Sequence, residues 1–195
     1  MPRELRALDV TPQPWRNGGG RTRELVASPP GADWMLRVSL ADIDVDGPFS
    51  AFPGVQRWFA VVAGAGVVLT LPGATGTRRL TTADEPFAFD GAAAPGCRLI
   101  DGPTRDLNLM LRGGLRGEMA RARSGEPWTG STWRWRACFT AGAARWQVGD
   151  AGVRELAPFT LLGDLGSAPG TLVAHDATLP MFWIGADLDG VGGAP

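Results

Sequence analysis

A chain of 195 residues, 44% hydrophobic and 20% charged, is long enough to bury a real core and has the composition of a folded globular protein. Its net charge of −1, from 19 basic and 20 acidic side chains, leaves no positive excess to neutralise phosphates, so nucleic-acid binding is not expected. Lysine is absent, every residue of the Lys+Arg total being arginine, and this excludes Schiff-base and lysine general-base chemistry.

Glycine (28) and proline (16) are abundant, which favours many short strands over long helices. The opening MPRELRALDV lacks an apolar core of signal-peptide length and no run approaches a membrane span. A cytoplasmic protein with no membrane partner is therefore expected. Residues 15–24 follow, placing Trp15, Asn17, Thr22, Arg23 and Glu24 around the flexible Gly18-Gly19-Gly20 run. That run is not a phosphate loop, because no strand precedes it and no GK[ST] follows. Its backbone freedom instead suits a segment crossing close over a binding site, with an aromatic wall, an amide and a hydroxyl at the rim.

Alternation of period two predicts a strand over residues 34–41, with Leu36, Val38 and Leu40 on one face and Arg37, Ser39 and Ala41 on the other. An inward Arg37 would need an anionic partner, either Glu24 or a bound carboxylate held by the guanidinium fork. Residues 46–57 set Phe49 between Gly/Pro turns ahead of Arg57, which opens a strand. Residues 57–62 and 67–71, joined through Gly64-Ala65-Gly66, read as a hairpin. Further strands are predicted at 98–101, 107–111, 133–139, 145–148, 171–174 and 181–184, with Asp106, Asn108 and Met110 sharing one face. Only residues 116–123 read as a helix. Residues 86–91 are echoed by 158–163, Pro95-Gly96 by Pro169-Gly170, and 107–110 by 181–184. Two similar β units follow from that repeat.

The single histidine, His175, cannot form a multi-histidine metal site and reads as a turn residue bonded to a neighbour. Cys97 and Cys138 lack CxxC spacing and read as buried thiols. No metal, no cofactor and no catalytic residue is assigned.

The segment Pro14-Trp15-Arg16-Asn17-Gly18-Gly19-Gly20-Arg21-Thr22-Arg23-Glu24 resembles the PWKNGGGxTRE signature of the HutD/Ves family. So do Leu36-Arg37-Val38-Ser39 with Ala41, the DGPFSxFPGxxR segment from Asp46 to Arg57, and Asp106-Leu107-Asn108-Leu109-Met110 with Arg112. The resemblance runs from about residue 14 to 112, a little over half the chain. Arg16 stands in place of the usual lysine, and Gly113 where a second arginine often follows. The resemblance implies an all-β, RmlC-like cupin fold of two fused β-barrel halves in one chain (a bicupin), over about 1–115 and 116–195. It also implies a bacterial, metal-free, non-catalytic binder of a small carboxylate such as formate, urocanate or a formylated amino acid, linked to histidine utilisation.

The expected ligand-binding residues are Trp15, Asn17, Thr22, Glu24, Arg37, Ser39, Phe49, Arg57 and Asn108. Two other readings stand beside this one. A metal-independent isomerase, epimerase or lyase would need Glu24, Asp106 or His175 as its base. A protein-interaction regulator would use Trp128, Trp133, Trp135 and Trp146 at an interface rather than in a core. Strand edges also allow a homodimer without requiring one.

Overall fold

A computed structural model describes residues 2–73, 76–128, 132–149 and 152–188. In chain order the strands are β1 (Arg3–Arg6), β2 (Gln13–Pro14), β3 (Gly20–Ser28), β4 (Leu36–Ile43), β5 (Gly47–Pro48), β6 (Val55–Ala63), β7 (Val67–Thr70), β8 (Thr77–Leu80) and β9 (Phe87–Asp90). They continue as β10 (Gly96–Leu99), β11 (Thr104–Arg112), β12 (Gly117–Ala122), β13 (Trp135–Thr140), β14 (Ala144–Gln147), β15 (Val153–Leu156), β16 (Thr160–Gly163), β17 (Thr171–Ala174) and β18 (Met181–Ala186). The all-β fold expected from the sequence is the fold observed. Among the described residues no helix is long and apolar enough to cross a membrane.

The chain forms two compact units, one of residues 10–114 and one of residues 2–9 with 115 onward. In the 10–114 unit a six-stranded sheet, ordered β2-β3-β4-β11-β6-β9, faces a four-stranded sheet, ordered β5-β10-β7-β8. Ile43, Phe59, Val61 and Phe89 from the first pack with Val67, Leu69, Leu80 and Cys97 from the second. Each such side chain contributes about 1.5–3 kcal/mol by leaving water. The alternation along β4 is as the sequence predicts: Leu36, Val38 and Leu40 are fully buried on the face opposite Arg37 and Ser39.

The predicted hairpin at Gly64-Ala65-Gly66 is not one. β6 pairs with β11 and β9, β7 with β10 and β8, so the chain changes sheets at this corner. The corner depends on glycine: Gly66 has φ +107°, and a Cβ there would run into the Leu80 carbonyl oxygen. Gly66→Ala is expected to lower stability by about 1–3 kcal/mol, read as a lower urea midpoint.

The other unit has a five-stranded sheet, ordered β1-β16-β13-β18-β12, and a three-stranded one, ordered β15-β14-β17. These orders repeat the first unit, with β12, β13 and β18 in the places of β4, β6 and β11, and β16 in the place of β9. The echoes at 86–91 and 107–110 thus fall on corresponding strands. Two sequence expectations need correction here. Residues 117–122 form β12, not a helix: pairing along all six residues with β18 and burial of Met119 and Ala122 override local helix preference. The division near residue 115 also misplaces the N-terminus, because β1 pairs with β16.

Tryptophan fills this unit's core. Trp128 stacks on Trp183 with ring centroids 5.1 Å apart, and Trp146 meets Trp183 edge-on at 5.9 Å. The aromatic-interface reading loses Trp128, Trp135 and Trp146, which are buried.

Candidate functional site

Antiparallel register aligns side chains of the six-stranded sheet in rows across its strands. One row is Arg37, Met110, Arg57 and Phe89; the next is Glu24, Ser39, Asn108, Phe59 and Phe87. A bulge at Leu25 sets Glu24 opposite Ser39. Arg37, Met110 and Arg57 of the first row and Ser39 and Asn108 of the second floor a cavity of about 500 Å³, a volume typical of small-molecule sites. Its walls come from β2, the turn at Trp15–Asn17 and the segment from Pro48 to Phe52.

Arg57 dominates the floor. Its Nε and Nη2 both donate to Asn108 Oδ1, at 2.9 and 2.7 Å. The guanidinium carbon lies 4.5 Å from the Phe49 ring centroid and 5.3 Å from that of Phe89. Nη1 has no hydrogen-bond acceptor among the described residues. Burial pushes the pKa of Arg57 down to about 10 despite the nearby Asp106, so it stays cationic at neutral pH. No carboxylate of the described residues forms an ion pair with it, whereas Arg21, Arg23, Arg37 and Arg105 each have one.

Eight of the nine residues expected at the site line this cavity: Trp15, Asn17, Thr22, Arg37, Ser39, Phe49, Arg57 and Asn108. Glu24 does not line it. Its Oε2 accepts from Arg37 Nε at 2.8 Å, the carboxylate partner that an inward Arg37 required. Trp15 Nε1 donates to Thr22 Oγ1 at 2.7 Å, and Asn17 Oδ1 accepts from the Gly19 amide at 3.0 Å. The glycine run closes the β2–β3 turn. A Cβ on Gly20 would strike the Asp42 carbonyl oxygen, and the Trp15 ring packs against the same spot.

Sequence reasoning missed Gln13, Ser50 and Phe52 as lining residues. It also missed the Asp42 cluster. Asp42 Oδ2 lies 2.9 Å from Arg21 Nε and 2.6 Å from Arg23 Nη1, and Oδ1 lies 2.6 Å from Arg105 Nε. Burial alone would raise the Asp42 pKa, but these three guanidinium groups outweigh it and hold it at about 2.

Asp106 lies on the same strand face as Asn108 but outside the cavity lining. It is fully buried: Oδ2 accepts from Thr104 Oγ1 at 2.8 Å, and Oδ1 has no partner. Burial pushes its pKa well above the usual carboxylate range, against the pull of Thr104 and Arg57. A raised folded-state pKa means that stability falls as pH rises from about 4 towards the folded value. Asp106→Asn is expected to abolish that loss, so its urea midpoint should gain on the wild type between pH 4 and pH 8.

Among the described residues the lining contains no carboxylate, imidazole or thiol. Its donors are guanidinium, amide and hydroxyl groups, which suit an anion rather than a divalent cation. Cys97 is buried and its thiol is pushed up to about 12, chiefly by burial. His175 is exposed in a turn, 3.2 Å from Glu155, outside this unit.

Comparison with known proteins places this geometry. A profile of the HutD family matches residues 7–165. The chain belongs to the HutD family. Relatives include an uncharacterised 21.2 kDa protein in the hutC 3′ region of Pseudomonas putida, 43% identical over 54% of this chain and 56% of that one. Protein Ves of Citrobacter koseri is 38% identical over 50% of this chain and 51% of its own length. The chain spans about half the length of the curated relatives it matches. HutD from Pseudomonas fluorescens SBW25, solved in a formate condition, superposes with a TM-score of 0.81 at 29% identity, covering 97% of this chain and all of that one. At 8% identity, Bacillus subtilis oxalate decarboxylase shares the fold alone, with a TM-score of 0.59 over 97% of this chain and 78% of its own. This HutD-family chain therefore has the cupin fold that its motifs imply.

Proposed function

We propose that the cavity of the 10–114 unit binds a small carboxylate and that the protein senses or buffers it in the cytoplasm, in amino-acid catabolism or its regulation. The observation that carries this reading is Arg57: a guanidinium on the cavity floor, buried, cationic and without a carboxylate partner among the described residues. An uncompensated buried charge is costly, and a ligand carboxylate relieves that cost through charge-assisted hydrogen bonds. Formate, urocanate and formylated amino acids all carry the required group. About 500 Å³ exceeds what a formate ion fills, which favours the two larger ligands. Trp15, Phe49 and Phe52 offer flat apolar walls to a planar ligand such as urocanate.

The enzyme reading has weaker support, since Glu24, Asp106 and His175 all lie outside the lining. A thermal-shift screen of chelator-treated protein tests the proposal. At about 100 times the Kd, a ligand of the folded state adds about 2.7 kcal/mol, and the melting point should rise with a carboxylate. A rise with a divalent metal alone would contradict it.

A further inference from the structure

The Arg57 arrangement recurs in the other unit. Phe49 precedes Arg57 by eight residues and follows Pro48; Trp128 precedes Arg136 by eight residues and follows Pro127. Pro48 pairs with Gly96 at the start of β10, and Pro127 with Thr171 at the start of the corresponding strand β17. The amides of Phe49 and Trp128 donate at 3.0 Å to the carbonyls just before those partners, Pro95 and Gly170. Both arginines sit over their aromatic ring with the guanidinium carbon 4.5 Å from its centroid. They occupy corresponding strands, β6 and β13.

One component differs. In the first unit Asn108, opposite Phe59 and two residues beyond Arg57, takes Nε and Nη2. In the second unit the residue opposite Cys138, two beyond Arg136, is Trp183, which has no acceptor. Nε and Nη2 of Arg136, the same edge, are consequently buried with no hydrogen-bond partner. Nη1 alone is bonded, to the carbonyls of Gly166 at 2.6 Å and Ala168 at 3.4 Å. No carboxylate of the described residues forms an ion pair with Arg136, which is 1% exposed. Residues 166–169, whose carbonyls hold Nη1, are themselves exposed.

We infer that Arg136 is a second carboxylate site, one per chain, taking a small anion on its Nε/Nη2 edge. The edge presents two parallel N–H donors, the fork that matches two carboxylate oxygens. Only the ligand class rests on the reading of the Arg57 cavity; the site itself rests on the repeat and on the bare edge.

Equilibrium dialysis of the full chain against radiolabelled formate tests it. Two equivalents are expected for the wild type and one each for Arg57→Gln and Arg136→Gln. One wild-type equivalent that is lost in Arg57→Gln and kept in Arg136→Gln would overturn the inference and leave the first cavity standing. An equivalent lost only in Arg136→Gln would uphold the inference and remove the Arg57 reading. No binding at all would overturn the inference and remove formate from the ligands of the first cavity. If Arg136→Gln does not fold, the Arg136 Nε–H proton, assigned through its contact with the Trp128 ring, is followed by NMR in Arg57→Gln. A saturable shift with formate is expected, and an unmoved resonance would overturn the inference.

Discussion

Arg57→Gln is expected to abolish carboxylate binding to the 10–114 cavity while leaving the chain folded. Truncating one side of a buried, hydrogen-bonded charge pair costs about 2–5 kcal/mol of binding, or roughly 30-fold to several thousand-fold in Kd. Glutamine keeps part of the aliphatic stem and removes a buried cation, stacked on Phe49, that has no ion pair among the described residues. Stability should change by less than the binding does. Calorimetric titration with urocanate, beside urea unfolding of the same variant, separates the two effects. Unchanged affinity in a folded Arg57→Gln protein would remove the residue on which the proposal rests.

Asp42→Asn is expected to be the most damaging substitution for stability. One carboxylate joins β3, β4 and β11 by holding Arg21, Arg23 and Arg105, and its own side chain is only 6% exposed. Removing the anion leaves Arg23, 12% exposed, and Arg105, 26% exposed, close together without it. Breaking a buried pair in this way costs about 3–5 kcal/mol, and Arg21, nearly half exposed, adds little. The folded-state pKa of about 2 lies below the ordinary carboxylate value. The stabilisation is therefore complete above about pH 4 and disappears as pH falls from 4 to 2. Urea midpoints should drop steeply over that window in the wild type and less so in Asp42→Asn. Parallel acid profiles for the two proteins would show that Asp42 contributes no such term.

Local pattern revealed the elements better than it revealed their partners. Alternation from Leu36 to Ala41 gave the right two faces because period two is set by the strand itself. Whether residues 117–122 become strand or helix is decided by β18, whose partners lie 59 to 69 positions later, and nothing local records that choice. The same holds for the corner at Gly66 and for β1, which pairs across the chain with β16. At the site, Trp15, Asn17, Thr22 and Arg57 were legible because each lies in a dense motif of unusual chemistry. The Asp42 cluster was not, because Arg21 and Arg105 are 84 positions apart and only sheet register brings them to one carboxylate. Glu24 was legible as a partner of Arg37 but not as a residue outside the cavity, since the rim's position depends on the β2–β3 turn.

The most direct test of the central claim is a crystal structure of the chain soaked with urocanate. A carboxylate bonded to Arg57 Nη1, with the ligand ring between the aromatic walls of the 10–114 cavity, is the predicted result. A cavity without ligand at concentrations that raise the melting point, whether or not urocanate is bound elsewhere, would contradict the account.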